Sequence, residues 1–323
     1  MMLQGKVVEK SIKLGISSCL LGNTVRYDGS HTQDRYLTDT LSHYVEYFPV
    51  CPEVECGLGI PREFMRLMGS PDAPRLVTGT TGKDYTDRML SWARKRVVEL
   101  EGEKLCGFIF KKNSPSSGME RVKVYAGKGA PMRKGIGMFA RVFMEHFPLL
   151  PVEEEGRLHD IDLRENFIER IFTLRRWREL LDGKMNRSKI IDFHTRHKLL
   201  IFSHSQKHYR LMGQWVAHIK DVSLKNFYTH YEHLLMKALA LTATPKKHVN
   251  VLQHMMGYFK KQLSSDEKQE LLEIIKQYGV GLVPLIVPLT LINHYVRKYD
   301  QPYLKEQFYL NPHPIELQLR NHV

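Results

Sequence analysis

Three short apolar runs in the first half of the chain have the pattern of buried β-strands, and each ends beside a residue with distinctive chemistry. They are KLGIS at residues 13–17, VEYFPV at residues 45–50 and KLCGFIFK at residues 104–111. Cys19 follows the first run, Cys51 the second, and a serine-rich loop the third. Helical patterns lie between them, at residues 32–42 and 86–101. This alternation predicts an α/β domain with a largely parallel sheet, whose ligands bind beyond the carboxyl ends of the strands.

The second half of the chain has helical periodicity. Apolar residues recur at helical spacing over residues 161–181, 188–202, 205–217, 224–240, 245–263 and 265–278. The acidic run Glu153-Glu154-Glu155-Gly156 precedes these segments and indicates a boundary. We therefore predict two domains, an α/β domain at residues 1–156 and an all-α domain at residues 157–323.

Positive charge is concentrated in the second predicted domain. Residues 1–156 contain 22 Lys and Arg against 19 Asp and Glu, whereas residues 157–323 contain 26 against 16. Thirteen of the 16 histidines also lie in the second part. A basic excess confined to one domain favours a polyanionic partner, most commonly nucleic acid. The alternative is a helical domain that is merely basic and soluble.

The few cysteines and the apolar segments bear on the compartment of the protein. Four cysteines in 323 residues do not make a disulfide scaffold. The N-terminus has no apolar region of the signal-peptide type, and the longest apolar stretch, residues 280–292, contains Pro284 and Pro288 and is too short to cross a bilayer. We expect a cytoplasmic protein with reduced thiols and no membrane partner.

Cys51 and Cys56 flank one short loop, and Cys19 follows the neighbouring predicted strand. Thiolates are good ligands for iron, so these three residues are candidate ligands of a [4Fe-4S] cluster whose fourth iron stays open. Ordinary packing of buried thiols is the alternative. Zinc is a rival metal, although the paired CxxC knuckles of structural zinc sites are absent. Cys106 lies within an apolar strand pattern and is expected in the core.

Two further groups near these cysteines have catalytic chemistry. Glu53 lies in the same loop and is a candidate general base or acid toward water, with a solvated loop acid as the alternative. The loop of Ser114, Ser116 and Ser117 offers hydroxyl and N–H groups to a polar ligand, or forms an ordinary turn. Basic residues surround this loop and are candidates to hold a phosphate backbone or form a solvated face: Lys111, Lys112, Arg121, Lys123, Lys128, Arg133 and Lys134.

Two segments of the second domain suit RNA. Lys207-His208-Tyr209 combines a cation with rings that stack on bases. Lys246-Lys247 follows Pro245 at a predicted helix start, where phosphate binds readily. Both segments are candidate RNA-binding residues.

The residues also resemble two known families. The segments ISSCLLG at 16–22, VRYDG at 25–29, PVCPE at 49–53 and NSPS at 113–116 resemble the thiouracil desulfurase (TudS-like) family. From about residue 160 onward the chain is similar to the YbgA-type helical domain, through SHS at 203–205, KHY at 207–209, NVLQH at 250–254, GYFKK at 257–261 and LVPLIVP at 282–288. The combination resembles fused desulfidases that act on 4-thiouridine in transfer RNA.

This resemblance implies a [4Fe-4S] cluster held by three cysteines, with an open iron that takes the substrate sulfur. It also implies an acidic residue and a serine near the cluster, which are Glu53 and Ser114 here. The chain departs from the family at Ser117, where stand-alone members carry the third cysteine. Cys56 is the natural replacement ligand. If its thiol cannot reach, the alternatives are a weak cluster held by two cysteines or a Ser117 ligand that binds through oxygen.

The implied reaction is hydrolysis of a C–S bond to give uridine and hydrosulfide, with transfer RNA as the expected partner. Two alternatives stay open: an enzyme that acts on free thiouracil or a thionucleoside, and a non-catalytic RNA-binding or redox-sensing iron–sulfur protein.

Overall fold

The computed structural model describes residues 12–127, 129–180 and 186–322. Lys128 and Leu181, which fall within the sequence predictions, lie outside these residues. The chain divides into two compact units, Met1–Asp160 and Ile161–Val323. The division falls four residues after the predicted boundary.

The first unit is an α/β structure. Its strands are β1 (Ile12–Ser17), β2 (Val45–Val50), β3 (Met65–Gly69), β4 (Pro74–Thr78), β5 (Gly107–Phe110), β6 (Val122–Tyr125), β7 (Met132–Gly135) and β8 (Val152–Glu154). Its α-helices are α1 (Pro52–Glu55), α2 (Thr86–Glu101) and α3 (Met138–His146). Four strands form a parallel sheet in the order β2-β1-β5-β8. The predicted parallel sheet is therefore confirmed, with the predicted strands at β1, β2 and β5.

A second sheet was not predicted. It has the order β4-β3-β6-β7, with β3 and β6 parallel and the two outer pairs antiparallel. Leu67, Val122 and Val124 from these strands pack with Met89 of α2 and with Cys56 in one hydrophobic cluster. This sheet escaped prediction because its strands are four or five residues long and carry charged residues at their exposed positions.

The predicted helix at residues 32–42 is not a regular α-helix. The backbone forms a π-helix at Tyr36–Thr40 and a 3₁₀-helix at Leu41–His43. The Asp34 carboxylate accepts the N–H of Leu37, and the Ser42 hydroxyl donates to the carbonyl of Thr38 at 2.5 Å. Such side-chain bonds compete with the regular i to i−4 ladder, which accounts for the irregular helix.

The acidic run at residues 153–155 forms the edge of the parallel sheet and the turn after it. All three glutamates are buried, and each carboxylate has partners. Glu153 pairs with Arg157 at 2.5 Å, Glu154 accepts the N–H of Met119 at 2.7 Å, and Glu155 pairs with Lys111. This acidic run is therefore part of the first unit and not an exposed linker.

The second unit is helical, as predicted. Its helices are α4 (Ile161–Glu179), α5 (Arg187–His204), α6 (Gln206–Ala217), α7 (Leu224–Leu239), α8 (Pro245–Met256), α9 (Ser265–Gly279), α10 (Ile286–Lys298) and α11 (Pro302–Lys305). Helix α10 was not predicted, because its apolar residues were assigned to a stretch interrupted by two prolines. Within the described residues, no helix is both long enough and apolar enough to cross a membrane.

A buried network of charges joins the start and the end of the second unit. Glu169 of α4 accepts from Nε2 of His204 at 2.9 Å and from Arg320 at 2.7 Å. Arg320 also binds Glu165 at 2.7 Å. Glu165, Glu169 and His313 could hold a metal by distance alone, but Arg320 already binds both carboxylates. The guanidinium thus serves as the counter-ion here.

The pKa of Glu169 reflects this network. Burial by itself raises the pKa of this carboxyl, but the hydrogen bond from His204 and the charge of Arg320 outweigh it and hold the pKa well below its usual range. A depressed carboxyl pKa stabilises the fold above the unfolded pKa, and this stability is lost only as the pH falls toward the folded value.

We expect Glu169→Gln to destabilise the second unit by about 3–5 kcal/mol at pH 7, because it removes one of the two carboxylates that neutralise the buried Arg320 and the one that is hydrogen-bonded to His204. Urea-dependent hydrogen exchange of peptides from α4 and α5 measures this. Glu306→Gln, at an exposed position, is the control and should change stability by less than about 0.5 kcal/mol. Equal stability of the two variants would contradict the role of the network.

Candidate functional site

The loops after β1, β2 and β5 meet around a cavity of about 340 Å³. This volume lies at the lower end of the range for small-molecule sites. The predicted residues that line the cavity are Cys19, Cys51, Glu53, Lys111, Lys112, Ser114 and Ser117. The parallel pairing of β1 with β2 and β5 places the three loops at one edge of the sheet. The cavity thus lies where ligands bind in sheets of this type.

Cys19 lies in the turn that follows β1. This turn is a 3₁₀-helix at Ser18–Leu21, and Gly22 ends it with a φ of 90°. A side chain at that φ would be strained, so glycine is favoured there. The carbonyl of Cys19 accepts the N–H of Thr32 at 3.0 Å, which ties the turn to the next loop.

Cys51 is the N-cap residue of the short helix α1, and Pro52 occupies the first helical position. Proline suits this position because its φ matches the helix and no N–H is needed there. The backbone N–H of Cys51 donates to the Glu55 carboxylate at 2.8 Å, and Glu55 pairs with Arg96 at 3.0 Å. The Cys51 thiol is therefore presented from a fixed backbone.

The serine loop is held against the start of α3. Backbone N–H groups of Met138 and Phe139 donate to the carbonyls of Pro115 and Ser116, at 3.0 and 2.9 Å. A Cβ on Gly137 would lie 2.6 Å from the Ser116 backbone, so only glycine permits this close packing. The loop residues Ser116 and Ser117 are buried as a result.

Glu53 is bonded to the serine loop across the cavity. The Ser116 hydroxyl donates to Oε1 of Glu53, and Oε2 lies 3.7 Å from the Sγ of Cys51. The Ser114 hydroxyl oxygen accepts the N–H of Ser117 at 3.0 Å and that of Ser116 at 3.3 Å. One carboxylate thus faces a thiol and a set of hydroxyl groups.

The cavity thiols are protonated at neutral pH in the absence of a metal. Burial raises the pKa of Cys19 to about 11, with the charge of Glu53 adding to the effect and Lys111 opposing it. Burial likewise raises the pKa of Cys51 to about 12, again with Glu53 adding and with Arg62 opposing. Metal binding to these thiols would therefore release protons.

Cys56 does not line this cavity. Its side chain is buried in the hydrophobic cluster with Leu67 and Met89, and its thiol donates to the Glu53 carbonyl at 3.3 Å. Helix α1 turns the Cys56 side chain away from that of Cys51. For Cys56 to share a metal with the other two thiols, its side chain would have to leave the cluster. Cys106 is buried, as expected.

The basic residues around the serine loop fall into two groups. Lys111 and Lys112 line the cavity and are held by Glu155, which accepts from the Lys111 ammonium at 2.5 Å and from the Lys112 backbone N–H at 2.7 Å. The others lie on the β6–β7 hairpin or beside it, and all are exposed: Arg121, Lys123, Arg133 and Lys134. Only the first group therefore belongs to the cavity.

The RNA-binding candidates of the second unit also differ from one another. Lys207 and Lys246 are exposed. The ammonium group of Lys247 donates to the carbonyls of His204 and Thr242, at 2.8 and 2.7 Å. This lysine therefore has a structural role in the loop before α8.

The neighbouring candidates His208 and Tyr209 lie in the first turns of α6. His208 is hydrogen-bonded to the N-cap hydroxyl of Ser205, so its ring is held at the helix start. Tyr209 packs against Phe202, with the ring centroids 5.0 Å apart. The tyrosine is partly exposed.

Several residues that line the cavity were not predicted as site residues from the sequence, among them Tyr27, Arg62 and Phe64. Tyr27 and Phe64 line the mouth as an edge-to-face pair with centroids 6.5 Å apart, and they are 41% and 47% exposed. Arg62 lines the same wall and donates to the carbonyl of Val25 at 3.0 Å. A signal existed for Tyr27, which lies within the VRYDG motif, but Phe64 and Arg62 follow no motif that pointed to them.

Fold and site together define a protein with a thiol-lined cavity in an α/β unit, followed by a basic all-α unit. Residues 14–155 match the family described as 2-thiouracil desulfurase. Residues 198–314 match a family described as protein of unknown function DUF1722. The chain belongs to the family of YbgA, joined here to a unit of the 2-thiouracil desulfurase family.

Individual relatives each match less than half of this chain. Uncharacterized protein YbgA of Escherichia coli is 36% identical over 153 residues, which are 47% of this chain and 90% of that protein. Uncharacterized protein YbbK of Bacillus subtilis is 29% identical over 108 residues, which are 32% of this chain and 71% of that protein. A solved structure described as the [4Fe-4S]-dependent thiouracil desulfidase TudS is 28% identical, and the match covers 48% of this chain and 98% of that one with a TM-score of 0.40.

We expect a maleimide reagent to modify Cys19 and Cys51 in the folded, metal-free protein, more slowly than a free thiol because their pKa values are raised, and to modify Cys56 and Cys106 only after unfolding. The first two thiols are partly exposed at the cavity and the other two are buried. Peptide mass spectrometry measures the extent at each cysteine, and urea-unfolded protein is the control in which all four react. Labelling of Cys56 as fast as Cys51 would show that its side chain reaches the cavity.

Proposed function

We propose that the protein is a [4Fe-4S]-dependent desulfidase that hydrolyses the C–S bond of a thiolated pyrimidine, most specifically 4-thiouridine in transfer RNA. The observation that carries the proposal is the meeting of two thiols, Glu53 and the serine loop in one small cavity. The match of this unit to the 2-thiouracil desulfurase family supports the reaction class.

The donor set of the cavity fits an iron–sulfur group. Cys19 and Cys51 supply soft thiolate ligands from adjacent strand ends, and soft ligands favour iron–sulfur clusters. Ser117 also lines the cavity, at the position where the related family carries a cysteine. Cys56 was the ligand first expected from the sequence, but its side chain packs in the hydrophobic cluster. The geometry therefore favours Ser117 as the third protein ligand.

The residues of the chain have separable roles in the proposed hydrolysis. When bound, the cluster would supply a Lewis-acidic iron for the substrate sulfur. Glu53 acts as the general base that takes a proton from the attacking water, while Ser116 holds its other oxygen in place. The Ser114 oxygen accepts two backbone N–H groups, and its hydroxyl lies 3.3 Å from that of Ser116. Because the Ser116 proton goes to Glu53, the Ser114 hydroxyl donates to Ser116, and a bound substrate ring would compete for that proton.

Atoms balance as in any hydrolysis. The water oxygen bonds to the ring carbon as one water proton passes to Glu53, which returns it to the sulfur. The C–S bond then breaks, the second water proton leaves to solvent as the carbonyl forms, and sulfur departs as hydrosulfide without net electron transfer. Tyr27 and Phe64 at the mouth would contact the planar ring of the substrate.

The basic helical unit supports transfer RNA as the substrate over a free base. Residues 157–323 carry ten more Lys and Arg than Asp and Glu, and phosphate contacts from such residues provide affinity that falls steeply with salt. A cavity of about 340 Å³ accommodates one base and no helix, so the target base must be unpaired or flipped out.

Anaerobic reconstitution tests the ligand set. We expect about four irons and four sulfides per wild-type chain, loss of the cluster in Cys19→Ala and Cys51→Ala, and retention in Cys56→Ala. Ser117→Ala should weaken the cluster and Ser117→Cys should make it more resistant to oxygen. Iron and sulfide counts with electron paramagnetic resonance of the reduced protein measure these outcomes. Loss in Cys56→Ala with no change in Ser117→Ala would instead assign Cys56 as the ligand.

Turnover tests the reaction and its substrate. Cluster-loaded protein should release hydrosulfide from 4-thiouridine-containing transfer RNA with a higher kcat/KM than from free 2-thiouracil. Glu53→Gln should lower kcat by about 10²–10⁴-fold because the general base is lost, with the iron count unchanged. Glu145→Gln, on the exposed surface of α3, is the matched control. If protein with a complete cluster releases no hydrosulfide from either substrate, the proposed desulfidase activity is refuted.

A further inference from the structure

A group of partly exposed rings in the second unit has no role in the proposed chemistry. The rings belong to Phe202 of α5, Tyr209 of α6, His254 of α8, Tyr258 of the 3₁₀-helix Gly257–Phe259, and Tyr303 of α11. Lys198 of α5 lies beside them and is counted with the group. We call it the Tyr258 patch. Five separate elements contribute to it, so the fold and not local sequence brings these side chains together.

The rings of the Tyr258 patch form a continuous series. Phe202 contacts Tyr209 and His254, with centroids 5.0 and 5.9 Å apart. Tyr258 follows at 5.6 Å from His254 and stacks on Tyr303 at 4.9 Å with an interplanar angle of 18°. The Lys198 ammonium lies 4.7 Å from the Tyr303 ring centroid. A planar ligand would thus meet several rings and one cation.

The patch differs from the aromatic core of the same unit. Trp177 stacks on Tyr231 at 4.7 Å, and both of these rings are fully buried. All members of the patch retain exposed surface, and His254 is exposed. Partial desolvation by the neighbouring rings, together with the charge of Lys198, lowers the pKa of His254 and favours its neutral form. Neutral exposed rings can accept a further ring by stacking.

The segment that supplies most of these rings is strongly basic. Residues 196–261 contain 11 Lys and Arg against two Asp and Glu, the latter being Asp221 and Glu232. Lys207, Arg210, Lys260 and Lys261 are exposed beside the patch residues in sequence. Rings interspersed with cations are the combination that binds single-stranded nucleic acid, because bases stack and phosphates pair with the cations.

We propose that the Tyr258 patch binds unpaired nucleotides of RNA, with bases stacked on its rings and phosphates held by the neighbouring cations. The choice of transfer RNA as the molecule that supplies these nucleotides rests on the proposed function. The patch itself recognises no particular base, since every base presents a stacking face.

Fluorescence anisotropy of the full chain with labelled oligouridine, and with a transfer RNA transcript, tests the proposal. Tyr258→Leu and Tyr303→Leu should each weaken binding about 5- to 150-fold, because a stacked base is lost. Tyr258→Phe keeps the ring and should restore binding. Duplex RNA should bind more weakly than oligouridine, because its bases are already stacked.

Salt dependence separates stacking from charge. The leucine variants should leave the slope of log K against log salt unchanged, whereas Arg210→Gln should reduce it by about one. Tyr299→Leu is the matched control: this tyrosine also lies beside a lysine, 5.2 Å from Lys298, but its hydroxyl donates to Glu267, whose charge repels phosphate. The Tyr299→Leu variant should bind RNA with the affinity of the wild type.

Wild-type affinity in a correctly folded Tyr258→Leu, Tyr303→Leu double variant would overturn the proposal. So would loss of a dimer in this variant with RNA binding intact, which would assign the patch to a second copy of the chain. If RNA binding depends on Tyr258 and Tyr303 but the protein releases no hydrosulfide, the RNA-binding role of the patch stands and only the proposed desulfidase activity is refuted.

Discussion

The parallel pairing of β1 with its two neighbours is the constraint on which the cavity depends. Because β2 and β5 run in the same direction as β1, the loops that leave all three strands emerge at one edge. The Ser17 hydroxyl accepts the N–H of Lys111 at 2.9 Å and joins the ends of β1 and β5. The thiol of one loop, the carboxylate of another and the hydroxyls of a third therefore meet, although more than fifty residues separate β2 from β5.

The sequence predicted this meeting but not its details. The lengths of the apolar runs and the helical patterns between them located β1, β2 and β5. Because Cys19, Cys51 and the serine loop each follow one of these runs, the sequence also placed them at one edge of the sheet. The direction of Cys56 was not predictable from spacing. Five residues separate it from Cys51, yet the intervening helix α1 turns its side chain into the cluster between sheet and helix. The single turn of helix α1 therefore determines whether the Cys56 side chain faces the cavity or packs in the core.

Charged residues illustrate a second limit of sequence patterns. The run Glu153–Glu155 has the composition of a solvated linker, but every carboxylate in it is buried with hydrogen-bond donors. Glu155 holds both Lys111 and Lys112 at the cavity. In the helical unit, Glu169 does the same for His204 and Arg320, which lie far apart in sequence. The composition of a segment gives its total charge, whereas the partner of each charged side chain is known only from the fold.

The size of the cavity limits what the first unit can contribute to substrate choice. A space of about 340 Å³, lined by the thiols of Cys19 and Cys51 and the carboxylates of Glu53 and Glu63, has room for a single base. It cannot contact more than a nucleotide or two of a polynucleotide. If transfer RNA is the substrate, most of the binding free energy must come from surfaces beyond the cavity. Residues 196–261 carry a large excess of Lys and Arg, and phosphate contacts from these residues could provide that binding free energy.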